Sequence, residues 1–381
     1  DCIGGLTVDT AFQPKPDKRS MIWRLRFPEQ DFKMKIGTDA VRADTGKGAG
    51  SIVALDENER WLELRVGPSR PPFAEVTSLI PSGPIKDAGM RDAISRFAAA
   101  VIDGKEQDHS AVTSILRRDR PRLIGSVILS GERDQLNETV DAVTRMDRTH
   151  LVIQGPPGSG KTYTSAHAIV ELLEQKKTVG VMSLSPKAIN NLLREVEAVA
   201  REKGVTFTGV KRATEEDQRL NGDVIEEADD NATVFAGNHQ LVGGTAWLFS
   251  RPEMADRLDY LFIDEAGQVS LANVVASGLA AKNIVLVGDQ MQLSQPAKGQ
   301  HPGGSGASGL DYLMGDWATV PADRGIFLSH TWRMHPNLCR FVSNAFYEGR
   351  LESHESTRIQ RLDLSNDDDG VPGGTGLRFI P

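Results

Sequence analysis

The chain has 381 residues, more than one hydrophobic core usually serves, so two or three domains of roughly 150 residues each are expected. Hydrophobic residues at 39% and charged residues at 25% match ordinary globular usage, which excludes fibrous architecture and wholesale disorder. The net charge of -8 argues against coating nucleic acid by bulk electrostatics while leaving room for a local basic channel.

The first stretch carries short β-type runs. Gly48-Ala49-Gly50-Ser51 leads into Ile52 to Leu55, then the polar turn Asp56 to Glu59, then the alternating run Trp61-Leu62-Glu63-Leu64-Arg65-Val66, which reads as a hairpin. With Trp23 to Phe27 it predicts a small barrel or sheet over residues 1–84, closed by the Pro-rich region Pro68 to Pro84. Residues 85–130 read as a helical stalk, one helix over Asp87 to Ile102 with Ile94, Phe97, Ala98 and Val101 on its apolar stripe, and another over His109 to Arg118.

From Thr149 the texture becomes apolar β runs alternating with helices, the signature of an α/β fold with a parallel sheet flanked by helices. The strand candidates are Leu151 to Ile153, Val179 to Met182, Thr233 to Phe235, Tyr260 to Ile263 and Ile284 to Val287. Gly299 to Gly309 reads as a mobile loop, and Ile326-Phe327-Leu328 begins a further segment.

Gly155-Pro156-Pro157-Gly158-Ser159-Gly160-Lys161-Thr162 fits GxxxxGK[ST], follows a strand candidate and precedes an apolar-periodic helix. Glycines in such a loop let backbone N–H groups turn around a phosphate, and the helix N-terminus adds its positive end. Lys161 would reach the β/γ oxygens and Thr162 would hold Mg²⁺, with Tyr163 completing the loop. Asp264 and Glu265 close the strand Tyr260 to Ile263. Asp264 would bind Mg²⁺ and Glu265 would deprotonate an attacking water, which favours hydrolysis of ATP over transfer to another acceptor.

These residues resemble a superfamily 1 helicase of the AAA type, in the branch that includes the nonsense-mediated-decay RNA helicase and the Okazaki-fragment nuclease-helicase. Gly288-Asp289-Gln290-Met291-Gln292-Leu293-Ser294-Gln295-Pro296 resembles the family's third motif, and Thr331-Trp332-Arg333-Met334-His335-Pro336 its YRMHP motif. Phe341 to Tyr347 and Gly349-Arg350-Leu351 continue the match. The resemblance implies that Gln292 senses the γ-phosphate and that Arg333 approaches it from a second RecA-like domain. It also implies a first RecA-like domain over 131–318 and the opening of the second over 319–381. Ser183 to Leu192 and Gly243 to Ala246 are similar to segments that line the strand groove in relatives, which implies contacts to single-stranded nucleic acid from Ser185, Lys187, Asn190 and Thr245. Bacterial proteins that pair a RecB-like nuclease with such a helicase are similar to this chain, which implies DNA rather than RNA and 5′ to 3′ movement. The family's later motifs, including its final arginine, do not occur before Pro381, so slow turnover is expected of these residues. Gln135-Leu136-Asn137 is similar to the adenine-reading segment, with a spacing to Gly155 that departs by a few residues.

Other features have plainer readings. No apolar run approaches the roughly 20 residues that cross a bilayer, and the start Asp1 to Gly5 is not a signal peptide, so no membrane partner is expected. Cys2 and Cys339 are too few and too far apart for a disulfide framework, which suits a cytoplasmic location. The chain opens without Met, as a piece of a longer polypeptide would. His150, His239 and His330 lack metal-like spacing and read as surface or hydrogen-bonded core residues, and His335 as a brace for the Arg333 loop. Trp61 reads as barrel core, Arg117 to Arg120 as a solvated helix end, and Asp367 to Asp369 as a polar loop. The rival class is a nucleotide-gated binding module with little turnover, the alternative within the helicase reading is RNA rather than DNA as the track, and a nucleotide kinase is a third class.

Overall fold

The computed structural model describes residues 2–67, 76–82, 87–125, 134–214, 218–293, 304, 306–360 and 375. The contacts divide the chain into two compact units, Asp1–Lys86 and Asp87–Pro381.

The first unit is antiparallel. Its strands are β1 (Ile3–Val8), β2 (Lys15–Asp17), β3 (Ser20–Arg26), β4 (Asp39–Arg42), β5 (Gly48–Asp56), β6 (Trp61–Val66) and β7 (Thr77–Pro81). They run in the order β1-β7-β4-β5-β6-β3-β2, and β1 pairs with β3 as well as β7, so the sheet closes on itself. Strict alternation along β6 sends Leu62, Leu64 and Val66 into a core with Ile3, Leu6, Leu25, Ile52 and Leu79. The same alternation puts Trp61 on the opposite face, a correction to the expectation that it is core. Trp61 is half-buried under the Arg24 guanidinium, 3.9 Å from its ring centroid, and Arg24 is ion-paired to Glu63.

The second unit is built on eight parallel strands in the order β11-β10-β12-β9-β13-β14-β8-β15. These are β8 (His150–Gln154), β9 (Val179–Met182), β10 (Gly209–Arg212), β11 (Ile225–Ala228), β12 (Leu241–Gly244), β13 (Leu258–Asp264), β14 (Ala281–Gly288) and β15 (Gly325–Phe327). Successive residues of one strand enter different cores: Leu261 and Ile263 join one cluster, Tyr260 and Phe262 the other. A strand buried on both faces needs a continuous apolar run, which is why β8, β9, β13 and β14 are legible in the sequence.

Helices α3 (Gln135–Thr144), α4 (Lys161–Glu174) and α5 (Pro186–Lys203) cover one face. The other face carries α1 (Ala88–Ile102), α2 (Ser110–Arg117), α7 (Ala246–Phe249), α8 (Leu271–Gly278) and α9 (Gly309–Met314). The helices expected as a stalk are therefore part of this core, with Met90, Ala93, Phe97, Val112 and Ile115 buried in it. The apolar stripe of α1 is rotated from the one read in the sequence: Val101 is exposed and Met90 and Ala93 take the inward positions.

Thr233 to Phe235 is not a strand. It lies in α6 (Asn231–Ala236), because the Asp230 carboxylate accepts from the Thr233 amide and caps a helical turn there. Residues 325–327, read as opening a second RecA-like domain, form β15 at the edge of this same sheet, paired with β8. Beyond it come β16 (His330–Thr331), α10 (Pro336–Phe346) and β17 (Glu352–Ser353). Pro68 to Phe73 of the Pro-rich region, Ser294 to Pro296 of the third motif, most of the Gly299 to Gly309 loop and Asp367 to Asp369 lie outside the described residues. Where that loop is described again, Ser308 caps α9 by accepting from the Asp311 amide.

Candidate nucleotide site

The loop from Gly155 to Gly160 joins the carboxyl end of β8 to the first turn of α4. Its start is pinned by the Gly155 amide donating to Gly288 O at 2.9 Å. Gly158 and Gly160 have φ of +77° and +83°, a region that residues with a Cβ rarely enter. Gly158 has a second reason to be glycine, since an added Cβ would lie 2.4 Å from Arg333 Cβ. Lys161 Nζ donates to Gly155 O at 2.8 Å, folded back over its own loop. The Ser159 hydroxyl is buried with no hydrogen-bond partner among the described residues, which suits a loop shaped to receive an oxyanion.

Asp264 ends β13, two strands from β8 with β14 between. Glu265 follows at φ +54° and turns the chain away from the sheet. That turn is seated by the Ala266 amide donating to Val287 O, and Gly267 packs so closely that a Cβ would lie 2.6 Å from Asp289 O. Burial, and next the Glu265 charge, push the Asp264 carboxyl up to about 6, while the Lys161 ammonium pulls the other way. A divalent cation beside it would reverse that balance and hold the carboxylate ionised.

One cavity of about 490 Å³ is lined by Pro157 to Tyr163 together with Glu265, Gln292 and Arg333. Residues far apart in sequence and expected to surround a terminal phosphate thus meet in one space. Glu195, on α5, lines the same cavity. Nothing in its helical context marks it, so the sequence reading missed it.

A second cavity, about 620 Å³, opens against Gly158 to Gly160 and is bounded by Gln135, Leu136, Tyr163, Leu328 and Trp332. Gln135 Nε2 donates to Phe327 O at 3.1 Å and Ser329 Oγ at 2.9 Å, and its Oε1 accepts from the Ser329 amide at 3.2 Å. Trp332 stacks on His354 with centroids 3.6 Å apart. The 331–333 segment is bonded straight to the phosphate loop: the Thr331 hydroxyl donates to Pro157 O at 2.9 Å and the Trp332 amide to Gly158 O at 2.8 Å.

Comparisons with known proteins agree with this geometry. A model described as an AAA domain matches residues 131–304 and another of the same description matches residues 313–372. A regulator of nonsense transcripts 1 homolog from Drosophila melanogaster is 26% identical over 318 residues, 72% of this chain and 26% of the relative. The ATP-dependent helicase NAM7 of Saccharomyces cerevisiae is 27% identical, across 86% of this chain and 38% of its own. The DNA replication ATP-dependent helicase/nuclease JHS1 of Arabidopsis thaliana is 27% identical, across 49% of this chain and 15% of its own. The chain is similar to superfamily 1 helicases of the nonsense-decay and Okazaki type. It spans well under half the length of these three relatives.

The residues that the superfamily 1 resemblance assigned to a nucleic-acid strand are not alike. Ser185 and Lys187 are exposed at the start of α5, where Ser185 Oγ accepts from the Ala188 amide at 3.1 Å. Thr245 is half-buried at the carboxyl end of β12. Asn190 is 4% exposed, and its Nδ2 donates to Gln218 O and Arg219 O at 3.2 and 3.0 Å. It falls on the inward stripe of α5 beside Ile189 and Leu193 and holds a loop, which corrects its assignment to the strand groove.

Among the described residues no cluster of three or more His, Cys, Asp or Glu could hold a metal. The Thr162 hydroxyl lines the phosphate cavity and the Asp264 carboxylate lies within electrostatic reach of Lys161, a donor pair that fits Mg²⁺ carried in on a nucleotide and otherwise bound by phosphate and water. His150 is a core histidine bonded to Ser114 Oγ at 2.7 Å, and His335 Nδ1 accepts from the Asn337 amide, bracing the start of α10. No described helix is long and apolar enough to cross a membrane.

Proposed function

We propose that this chain binds ATP with Mg²⁺ and hydrolyses it by water, and that in the intact polypeptide the reaction drives movement on single-stranded DNA, 5′ to 3′. The observation that carries the reading is the convergence of the glycine loop, Glu265, Gln292 and Arg333 on one cavity. Lys161 would leave Gly155 O for the β/γ oxygens, and the backbone N–H groups of the loop and first turn of α4 would cradle the phosphates. Thr162 and Asp264 would hold Mg²⁺, which would supply charge neutralisation at the phosphates. Glu265 accepts the proton of the attacking water, Arg333 offsets the charge that develops on the equatorial oxygens, and Gln292 reports the terminal phosphate.

The second cavity suits the base, with Tyr163 and Trp332 as its aromatic walls. Ser185, Lys187 and Thr245 are the proposed backbone-directed strand contacts. The choice of DNA rests on the likeness to nuclease-linked relatives, as does a RecB-like nuclease elsewhere in the parent polypeptide. A cytoplasmic location accords with two free cysteines, Cys2 and Cys339.

Phosphate release from ATP, measured with and without oligo-dT, tests the reading. A motor predicts stimulation by the oligonucleotide. Glu265→Gln should lower turnover by about 10² to 10⁴ while nucleotide still binds, the range expected for loss of a general base, and Lys161→Ala should weaken binding itself. Nucleotide binding without turnover, in the presence or absence of oligo-dT, would instead favour a nucleotide-gated clamp.

A further inference from the structure

Helix α10 makes a contact that the hydrolytic scheme leaves unused. It starts at Pro336, just after Arg333, and ends on Tyr347, which is 2% exposed and acts as its C-cap. The Tyr347 hydroxyl donates to Asp289 Oδ2 at 2.7 Å, a fully buried bond. Asp289, also 2% exposed, accepts at the same oxygen from Gln292 Nε2 at 3.3 Å and at Oδ1 from the Met291 amide at 3.2 Å. Gln292 lines the phosphate cavity with Glu265 and Arg333. One carboxylate oxygen is therefore shared between the far end of the helix that follows Arg333 and the glutamine that lines that cavity.

The chemistry of this link is directional. The Asp289 backbone is fixed, because Gly267 in the turn after Glu265 abuts its carbonyl. Its side chain is set by its donors, and the tyrosine hydroxyl is the shortest of them. An O–H bonded to a buried carboxylate is among the stronger side-chain hydrogen bonds. Burial and the Asp289 charge raise the Tyr347 hydroxyl well above the usual tyrosine range, so it stays a donor throughout working pH.

We propose that Tyr347 is a positioning residue: through Asp289 it holds the Gln292 side chain at the phosphate cavity and ties it to the helix that follows Arg333, so both groups meet the terminal phosphate as one unit. The inference rests on the hydrolytic reading above. In the 381-residue chain, Tyr347→Phe keeps the ring and removes the hydroxyl. It should lower kcat for ATP by about tenfold, with KM within about twofold of the parent, since it acts on a group used at the transition state. In a Gln292→Ala background the same substitution should have no further effect on kcat, because the side chain it holds at the phosphate cavity is gone. A merely structural role would multiply the two losses. Asp289→Asn, measured in the same cycle, serves if the phenylalanine variant does not fold, and should show the same dependence on Gln292. Parent-like kcat in Tyr347→Phe, or multiplying losses in either cycle, overturns the inference alone. A parent chain that releases no more phosphate than Glu265→Gln overturns the hydrolytic reading and this inference with it.

Discussion

Glu265 adopts a left-handed backbone conformation that a residue with a Cβ holds only at a cost of about 1 to 3 kcal/mol. The turn is kept there by the sheet itself, through the Ala266 amide on Val287 O and the close seat of Gly267 on Asp289. The result is a carboxylate thrown off the strand end into the phosphate cavity while its neighbour Asp264 stays buried. His150 shows the opposite use of burial. Desolvation, aided by Arg324 and Arg122, lowers its pKa to about 3, so the ring is neutral in the fold. The unfolded chain takes up that proton near the ordinary value of about 6.5. Its contribution to stability is therefore complete above that value and declines as pH falls toward 3, by roughly 1.4 kcal/mol per unit within the window. Urea unfolding midpoints across pH 4 to 7 should fall less steeply in His150→Gln than in the parent. Equal slopes would mean that the ring is not held neutral.

At the scale of elements, the short strand β15 couples the 327–333 region to the glycine loop. It lies on β8 in parallel register, Gly325 opposite Val152, and the Leu328 amide continues the ladder to Gln154 O. Gly325 has no room for a side chain, since a Cβ would sit 2.4 Å from Val152 O. Backbone cannot yield as a flexible side chain can, so Gly325→Ala should separate the two strands. Such a wedge costs about 1 to 3 kcal/mol, to be read in urea unfolding, and should weaken nucleotide binding because Gln135, Thr331 and Trp332 all hang from this junction. Unchanged stability with unchanged nucleotide affinity would show that β15 does not organise the site. The same scale explains the misread Thr233 to Phe235: three β-prone residues form a strand only if no cap claims them, and Asp230 does. Strands β10, β11 and β12 are not legible for the converse reason, being four residues long and carrying Lys and Arg, paired Glu or paired Gly.

For the whole molecule, a ligand that binds only the native second unit should protect that unit by linkage, about 2.7 kcal/mol at a hundredfold excess over Kd. Hydrogen exchange with Mg²⁺ and ATP should therefore slow through residues 155–162, 264–268 and 331–335 while β1 to β7 keep their rates, and EDTA should shrink the effect. Protection confined to the barrel would contradict a nucleotide site on this sheet. The sequence alone determined the parallel-sheet class, the glycine loop with Lys161 and Thr162, and the Asp264-Glu265 pair, because each is a contiguous pattern whose conformation is dictated by near neighbours. Only the tertiary structure decided that α1 and α2 belong to the sheet's own core, that Asn190 faces inward, that Glu195 lines the phosphate cavity, and that Tyr347 shares a carboxylate with Gln292. Each of those depends on contacts between distant segments, as when Gln135 bonds Phe327 across 192 positions, and helical or strand periodicity says which face a residue occupies but not what that face meets.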